Sequence, residues 1–384
     1  MSQNKKISII SEFEGLRGIL ALWVVIGHWA TTISFSLYPL HHDLWNVQAV
    51  DVFIILSGFV ITMSLCTSNE SYTQYLTRRW FRIFPAFFVV LLISLAMLPY
   101  IADILQSAPP SEMKEVRLAI IGDSKSNFFL NIFSHLTLLH GLIPLQITPY
   151  SAYTFVGQAW SISLEWQFYV LAPLFFFLIR NIYRPILALT FFTIIFILSI
   201  SGEYFSPAYL GNKLHLFAVG AVSFYIWMRM IKNNKWTKLK TMRMVTIITV
   251  LLLLLLREKS LIGLAVWMVV FYVVLAVRHP ESKGRRAENI LAEVMRSRFI
   301  LFLGHISYTL YLVHFMVMIA VMAMLEQFSL SPAYFAIALF ALLLPLSIAA
   351  ACLLSKYIEQ PFMRLGRNLS QGLLARNYTL YSRM

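Results

Sequence analysis

The 384-residue chain is 59% hydrophobic and 12% charged, with a mean hydropathy of +0.73, which excludes an ordinary soluble domain and points to a polytopic membrane protein. A formal net charge of +14 would suit nucleic acid, but these Lys and Arg fall between apolar stretches, the usual orientation signal of membrane proteins, so no nucleic-acid partner is expected. Two cysteines, Cys66 and Cys352, give neither a disulfide framework nor a cysteine metal site.

The N-terminus MSQNKKISII lacks a long apolar core followed by a small-residue cleavage site, so the first hydrophobic segment is expected to remain as a span. Stretches long enough to cross a bilayer fall near 16–36, 48–66, 83–104, 158–179, 184–201, 212–231, 244–256, 260–277, 299–325 and 333–356. The expected fold is therefore an all-α membrane bundle of about ten transmembrane helices, or eleven if 128–145 crosses or re-enters. With the N-terminus in the cytoplasm, 25 of the 31 Lys and Arg lie on the inner side, which puts both termini there. No Gly-, Ser- or Pro-rich linker marks a second unit, so one domain is expected over 1–384, and the polar interval from Gln106 to Asn127 reads as an outer loop.

The first span carries the most telling residues, Arg17 and His28. At about 100° per residue an eleven-residue separation ends about 20° past three turns, so both share one face, about 16 Å apart along the axis. Ionisable groups inside a span are costly and mark functional positions. His28 is either a polar tie between helices or a general base, and Arg17 is either a snorkelling arginine paired with Glu14 or part of the same site. Asp51 opens the second span, to orient a histidine or to cap the helix. Before the third span, Arg78, Arg79 and Arg82 form a loop cluster suited to phosphate oxygens, although topology alone places arginines there.

In QAWSISLEWQFYVLAP, Ser161, Glu165 and Tyr169 recur every four residues and form a polar stripe on one helix face. In FLGHISYTLYLVHF, Ser307, Tyr311 and His314 follow an i, i+4, i+7 pattern beside Tyr308. No metal-type spacing, nucleophile elbow, P-loop or dinucleotide fingerprint accompanies them. The residues alone define a membrane-embedded acid/base site.

Six motifs in order, GLRGILALWVVIGHW, AVDVFIILSGFVI, RRWFRIFP, QAWSISLEWQFYVLAP, GHISYTLYLVHF and KYIEQP, resemble the acyltransferase-3 family over nearly the whole chain. The resemblance implies transfer of an acyl group, commonly acetyl, from cytoplasmic acyl-CoA to a carbohydrate hydroxyl, with Arg17, His28 and Glu165 at the active site. Acetyl-CoA is then a co-substrate, with no permanently bound cofactor and no metal. The acceptor is of polysaccharide, lipopolysaccharide or peptidoglycan type, and the inner or plasma membrane is the expected location. The domain core is expected over about 10–360, and no appended extracytoplasmic domain is expected.

Joined to the spacing argument, this reading lets Arg78, Arg79 and Arg82 hold coenzyme A phosphates while Arg17 steers the pantetheine arm. His28, supported by Glu165, deprotonates the acceptor or itself accepts the acyl group. Asp51, Ser161, Tyr169, Ser307, Tyr308, Tyr311 and His314 contact substrate or support these groups. The competing function is a proton-coupled carrier or flippase of an envelope intermediate, because buried ionisable residues serve pumps as well as enzymes. A noncatalytic scaffold would leave those costly polar positions without a task.

Overall fold

The computed structural model describes residues 10–32, 46–111, 113–233, 243, 246, 261–278 and 286–381. Its major helices are α1 (Ser11–Ala30), α2 (Val47–Thr67), α3 (Tyr72–Ser107), α4 (Lys114–Ser126), α5 (Phe128–Leu136), α6 (Trp160–Arg180) and α7 (Pro185–Ile200). They continue with α8 (Leu210–Asn233), α9 (Ile262–Arg278), α10 (Arg286–Arg296), α11 (Arg298–His305), α12 (Ser307–Glu326), α13 (Pro332–Leu354) and α14 (Gln360–Tyr381). A π turn, Ser355–Glu359, joins the last two. No strand occurs among the described residues, in keeping with the all-α expectation; the one bridge pairs Pro144 with Phe205.

Among the described residues six helices are long and apolar enough to cross a membrane: Val47–Thr67, Tyr72–Ser107, Gly157–Arg180, Pro185–Tyr204, Ser307–Glu326 and Pro332–Gly372. Ile262–Arg278 is apolar but shorter, and the segment 244–256 lies almost wholly outside the described residues. Of the roughly ten expected spans, six are thus such helices among the described residues. The expected 299–325 span is divided at Ile306 into α11 and α12, where the Thr309 hydroxyl donates to the Ile306 carbonyl at 3.0 Å.

Three local expectations change. The arginine cluster lies on a helix, because a capping box starts α3 early: Ser71 N–H donates to Gln74 Oε1 at 2.9 Å, and Gln74 N–H donates back to Ser71 Oγ at 3.4 Å. Segment 128–145 yields only the nine-residue α5 and a 3₁₀ turn at His140–Leu142, and a helix of that length reaches about 14 Å, too short to cross. The interval read as an outer loop contains α4, whose buried side is Arg117, Ile121 and Ser124.

Close backbone approaches fix the site-bearing helices. A Cβ on Gly220 of α8 would stand 1.9 Å from the Ile55 carbonyl oxygen of α2, and one on Gly58 would stand 2.3 Å from that of Phe217. Only small residues permit that contact, as at helix interfaces in membranes. At the opening of α1, fully buried Glu12 accepts from Arg278 Nη2 at 2.7 Å and Arg296 Nη2 at 2.5 Å, tying α1 to α9 and α10. Arg17 and His28 project from this anchored rod.

Candidate active site

Two cavities lie along α1, and Val50 and Tyr311 line both. The first brings together Arg17 from α1, Arg82 from α3, Ser161 and Glu165 from α6, and Ser307, Tyr308 and Tyr311 from α12. Helical spacing explains the convergence: Ser161 and Glu165 are one turn apart, as are Ser307 and Tyr311. Glu165 is the one carboxylate among the described residues lining this chamber. Its Oε1 accepts from Ser57 Oγ at 2.9 Å and from the Tyr169 hydroxyl. Arg17 also sits 3.9 Å from Glu14, at the outer limit of an ion pair, so the snorkelling partner and the cavity position coexist.

The second cavity contains His28 and is lined by α1, α2, α3, α4, the turns before α6, and α12. The His28 ring lies 5.0 Å from that of His314 and 5.7 Å from that of Phe315, centre to centre. His314 is fully buried; its Nδ1 faces the Leu310 carbonyl at 3.2 Å, while its Nε2 has no hydrogen-bond partner among the described residues. With Nδ1 as the donor, Nε2 carries the lone pair. Asn46 Oδ1 and Gln158 Oε1, on residues lining the same chamber, are also buried acceptors without a partner among the described residues.

Tyr311 joins the chambers: its hydroxyl donates to the Gln158 carbonyl at 2.6 Å and lies 2.8 Å from Ser161 Oγ. Arg17 and His28 therefore serve adjoining chambers from one face of one helix, as their spacing predicts. Glu165 lines the Arg17 chamber, whereas the ring beside His28 is His314.

Other sequence candidates take separate places. Asp51 pairs with Lys213 at 2.8 Å across α2 and α8, and no side chain caps α2. Arg78 pairs with Glu70; Arg79 lies over the rings of Tyr75 and Tyr169, each centre 5.4 Å away. Of the three clustered arginines, only Arg82 lines the first chamber. The Tyr308 hydroxyl donates to the Ile83 carbonyl at 2.6 Å, holding α12 against α3.

Sequence reasoning missed Arg117. It is 7% exposed and lines the His28 chamber, donating to Thr32 Oγ1 at 2.7 Å and Thr31 Oγ1 at 3.3 Å, with its guanidinium 5.4 Å from the Phe315 ring centre. Burial pushes its pKa down to about 10, which still leaves it charged at neutral pH. The available signal was Arg117, Ile121 and Ser124 at i, i+4, i+7.

A helical membrane protein with ionisable groups gathered in two adjoining chambers is the class that fold and site define. A family profile described as an acyltransferase domain matches residues 10–356, and the chain belongs to this acyltransferase-3 family. It is 23% identical over 404 aligned residues to a Staphylococcus aureus (strain COL) protein named "Putative O-acetyltransferase", covering 94% of this chain and 58% of that one. It is 29% identical over 173 residues to an uncharacterised Haemophilus influenzae protein, covering 43% of this chain and 64% of the relative. The chain thus spans less than two thirds of either relative's length. No solved structure was found to match.

Proposed function

We propose that the protein is a membrane O-acyltransferase that moves an acyl group, acetyl in the first instance, from cytoplasmic acyl-CoA to a hydroxyl of a cell-envelope or exported carbohydrate. The observation that carries this reading is the meeting of the two chambers at Val50 and Tyr311, with two arginines in one and His28 in the other. Family membership and the relative named as an O-acetyltransferase support the reaction class.

Acyl-CoA enters at the Arg17 end, which the Lys and Arg distribution assigns to the cytoplasm. Arg17 and Arg82 attract its negative groups, and the thioester extends towards Tyr311. In the other chamber, the acceptors Asn46 Oδ1 and Gln158 Oε1 suit sugar hydroxyls, and Tyr153 and Trp160 offer aromatic faces. His28 takes the proton of one hydroxyl as that oxygen attacks the thioester carbonyl. The carbon–sulfur bond breaks, the proton passes from His28 to the leaving thiolate, and the products are an ester and free coenzyme A.

Purified protein with radiolabelled acetyl-CoA and envelope glycan fractions tests the proposal. Label appearing in glycan supports it. Label confined to acetyl-CoA, together with glycan movement across proteoliposome membranes, would favour the proton-coupled carrier.

A further inference from the structure

Arg117 is the outlier of the second chamber. A guanidinium has five donors, and the described hydrogen bonds of Arg117 go to two threonine hydroxyls. Among the described residues no carboxylate lies within ion-pair distance of it, although buried charges are ordinarily paired. It is not a snorkelling side chain, since it is 7% exposed and faces a cavity. Thr31 and Thr32 fix it from α1, and the Phe315 ring stands beside it. The same Phe315 ring neighbours His28, so the cation and the imidazole flank one aromatic side chain. The chamber holds a preorganised positive site next to its proton acceptor.

We propose that the His28 chamber selects an acceptor bearing an oxyanion group, a carboxylate or a phosphate, which completes the bonding of Arg117 while a hydroxyl of the same molecule reaches His28. A planar guanidinium whose donors have only two threonine hydroxyls as partners among the described residues suits either oxyanion, since both accept two parallel hydrogen bonds. This rests on the reading of the chamber as the acceptor site and adds that the acceptor is anionic. Neutral sugars leave the buried cation uncompensated and bind less well.

The test is calorimetric binding of three probes to the full-length protein in detergent: methyl glucoside, methyl glucuronoside and glucose 6-phosphate. One of the charged probes is expected to bind about tenfold or more tighter than the neutral glucoside, the ratio expected from one charge-assisted contact. The tighter of the two names the oxyanion. In Arg117→Gln that preference is expected to vanish while acetyl-CoA still binds at the Arg17 chamber. Equal binding of all three probes, no binding of any, or a preference that survives Arg117→Gln would overturn the inference.

Should the variant not fold, the wild type alone decides. The preference must then be lost when free glucuronate or inorganic phosphate is added at excess in place of chloride, and persistence under both refutes it. Label transfer from acetyl-CoA is scored separately. A charged-probe preference without any transfer would sink the enzymatic reading and leave the anion site standing.

Discussion

Replacing Glu165 with glutamine separates a catalytic carboxylate from a structural one. Both described hydrogen bonds to this side chain, from Ser57 and Tyr169, converge on Oε1, so the amide oxygen of Glu165→Gln retains both donors. Each bond weakens from charge-assisted to neutral, about 1 to 1.5 kcal/mol, giving a loss of about 2 to 3 kcal/mol. The desolvation cost of the carboxylate, also several kcal/mol, is relieved at the same time, so net stability changes by about 1 kcal/mol or less. The chamber nevertheless loses its carboxylate beside Arg17 and Arg82. If that charge acts in the reaction, kcat for acetyl transfer falls about 100-fold or more, the scale of a positioned ionisable group. The assay pairs steady-state transfer from radiolabelled acetyl-CoA with a thermal melt of the same preparation. Transfer within a few-fold of wild type, or a loss that tracks a collapsed melting transition, would refute the reasoning.

His28→Ala is expected to abolish transfer while the melting temperature holds, since the ring faces a cavity; retained transfer would remove it from catalysis. Arg17→Lys keeps the charge but loses the planar fork, so the KM for acetyl-CoA is expected to rise more than kcat falls, whereas an unchanged KM would place the phosphates elsewhere. Glu12→Ala removes a fully buried partner of Arg278 and Arg296; because water re-solvates those partly exposed guanidiniums, the cost in chemical unfolding is expected near about 2 to 3 kcal/mol, below that of a fully buried pair. Gly220→Leu is expected to prevent α2 and α8 from closing and to yield aggregated protein, read by size-exclusion chromatography of the detergent extract.

Local periodicity carried much of the candidate site. Arg17 and His28 lie on one face because eleven residues bring a helix back almost to register, and Ser161, Glu165, Ser307 and Tyr311 converge because each pair is one turn apart. Pairings between distant helices were invisible to that reasoning. Nothing in AVDVFIILSGF tells that Asp51 meets Lys213, 162 positions later, and nothing near His28 tells that its neighbouring ring is His314. Arg78, Arg79 and Arg82 looked equivalent as a loop cluster. On a helix, Arg79 turns about 100° away from Arg78 while Arg82 lies one turn further along the axis, so Glu70, two tyrosine rings and the cavity each take one of them. Arg117 was hidden for another reason: polar flanking residues made α4 resemble a surface loop, although its buried side repeats with helical period. Of the spans expected from the sequence, α1 and α8 are not among the six helices long and apolar enough to cross in the described residues, since polar residues on each lower its hydropathy.

The most direct measurement is a structure with a nonhydrolysable acetyl-CoA analogue bound to the full chain. The account predicts phosphate oxygens at the mouth guarded by Arg17 and Arg82, and the thioether at the boundary formed by Val50 and Tyr311, open to His28. An analogue seated outside that chamber, or an acyl end walled off from His28 by Tyr311, would contradict it.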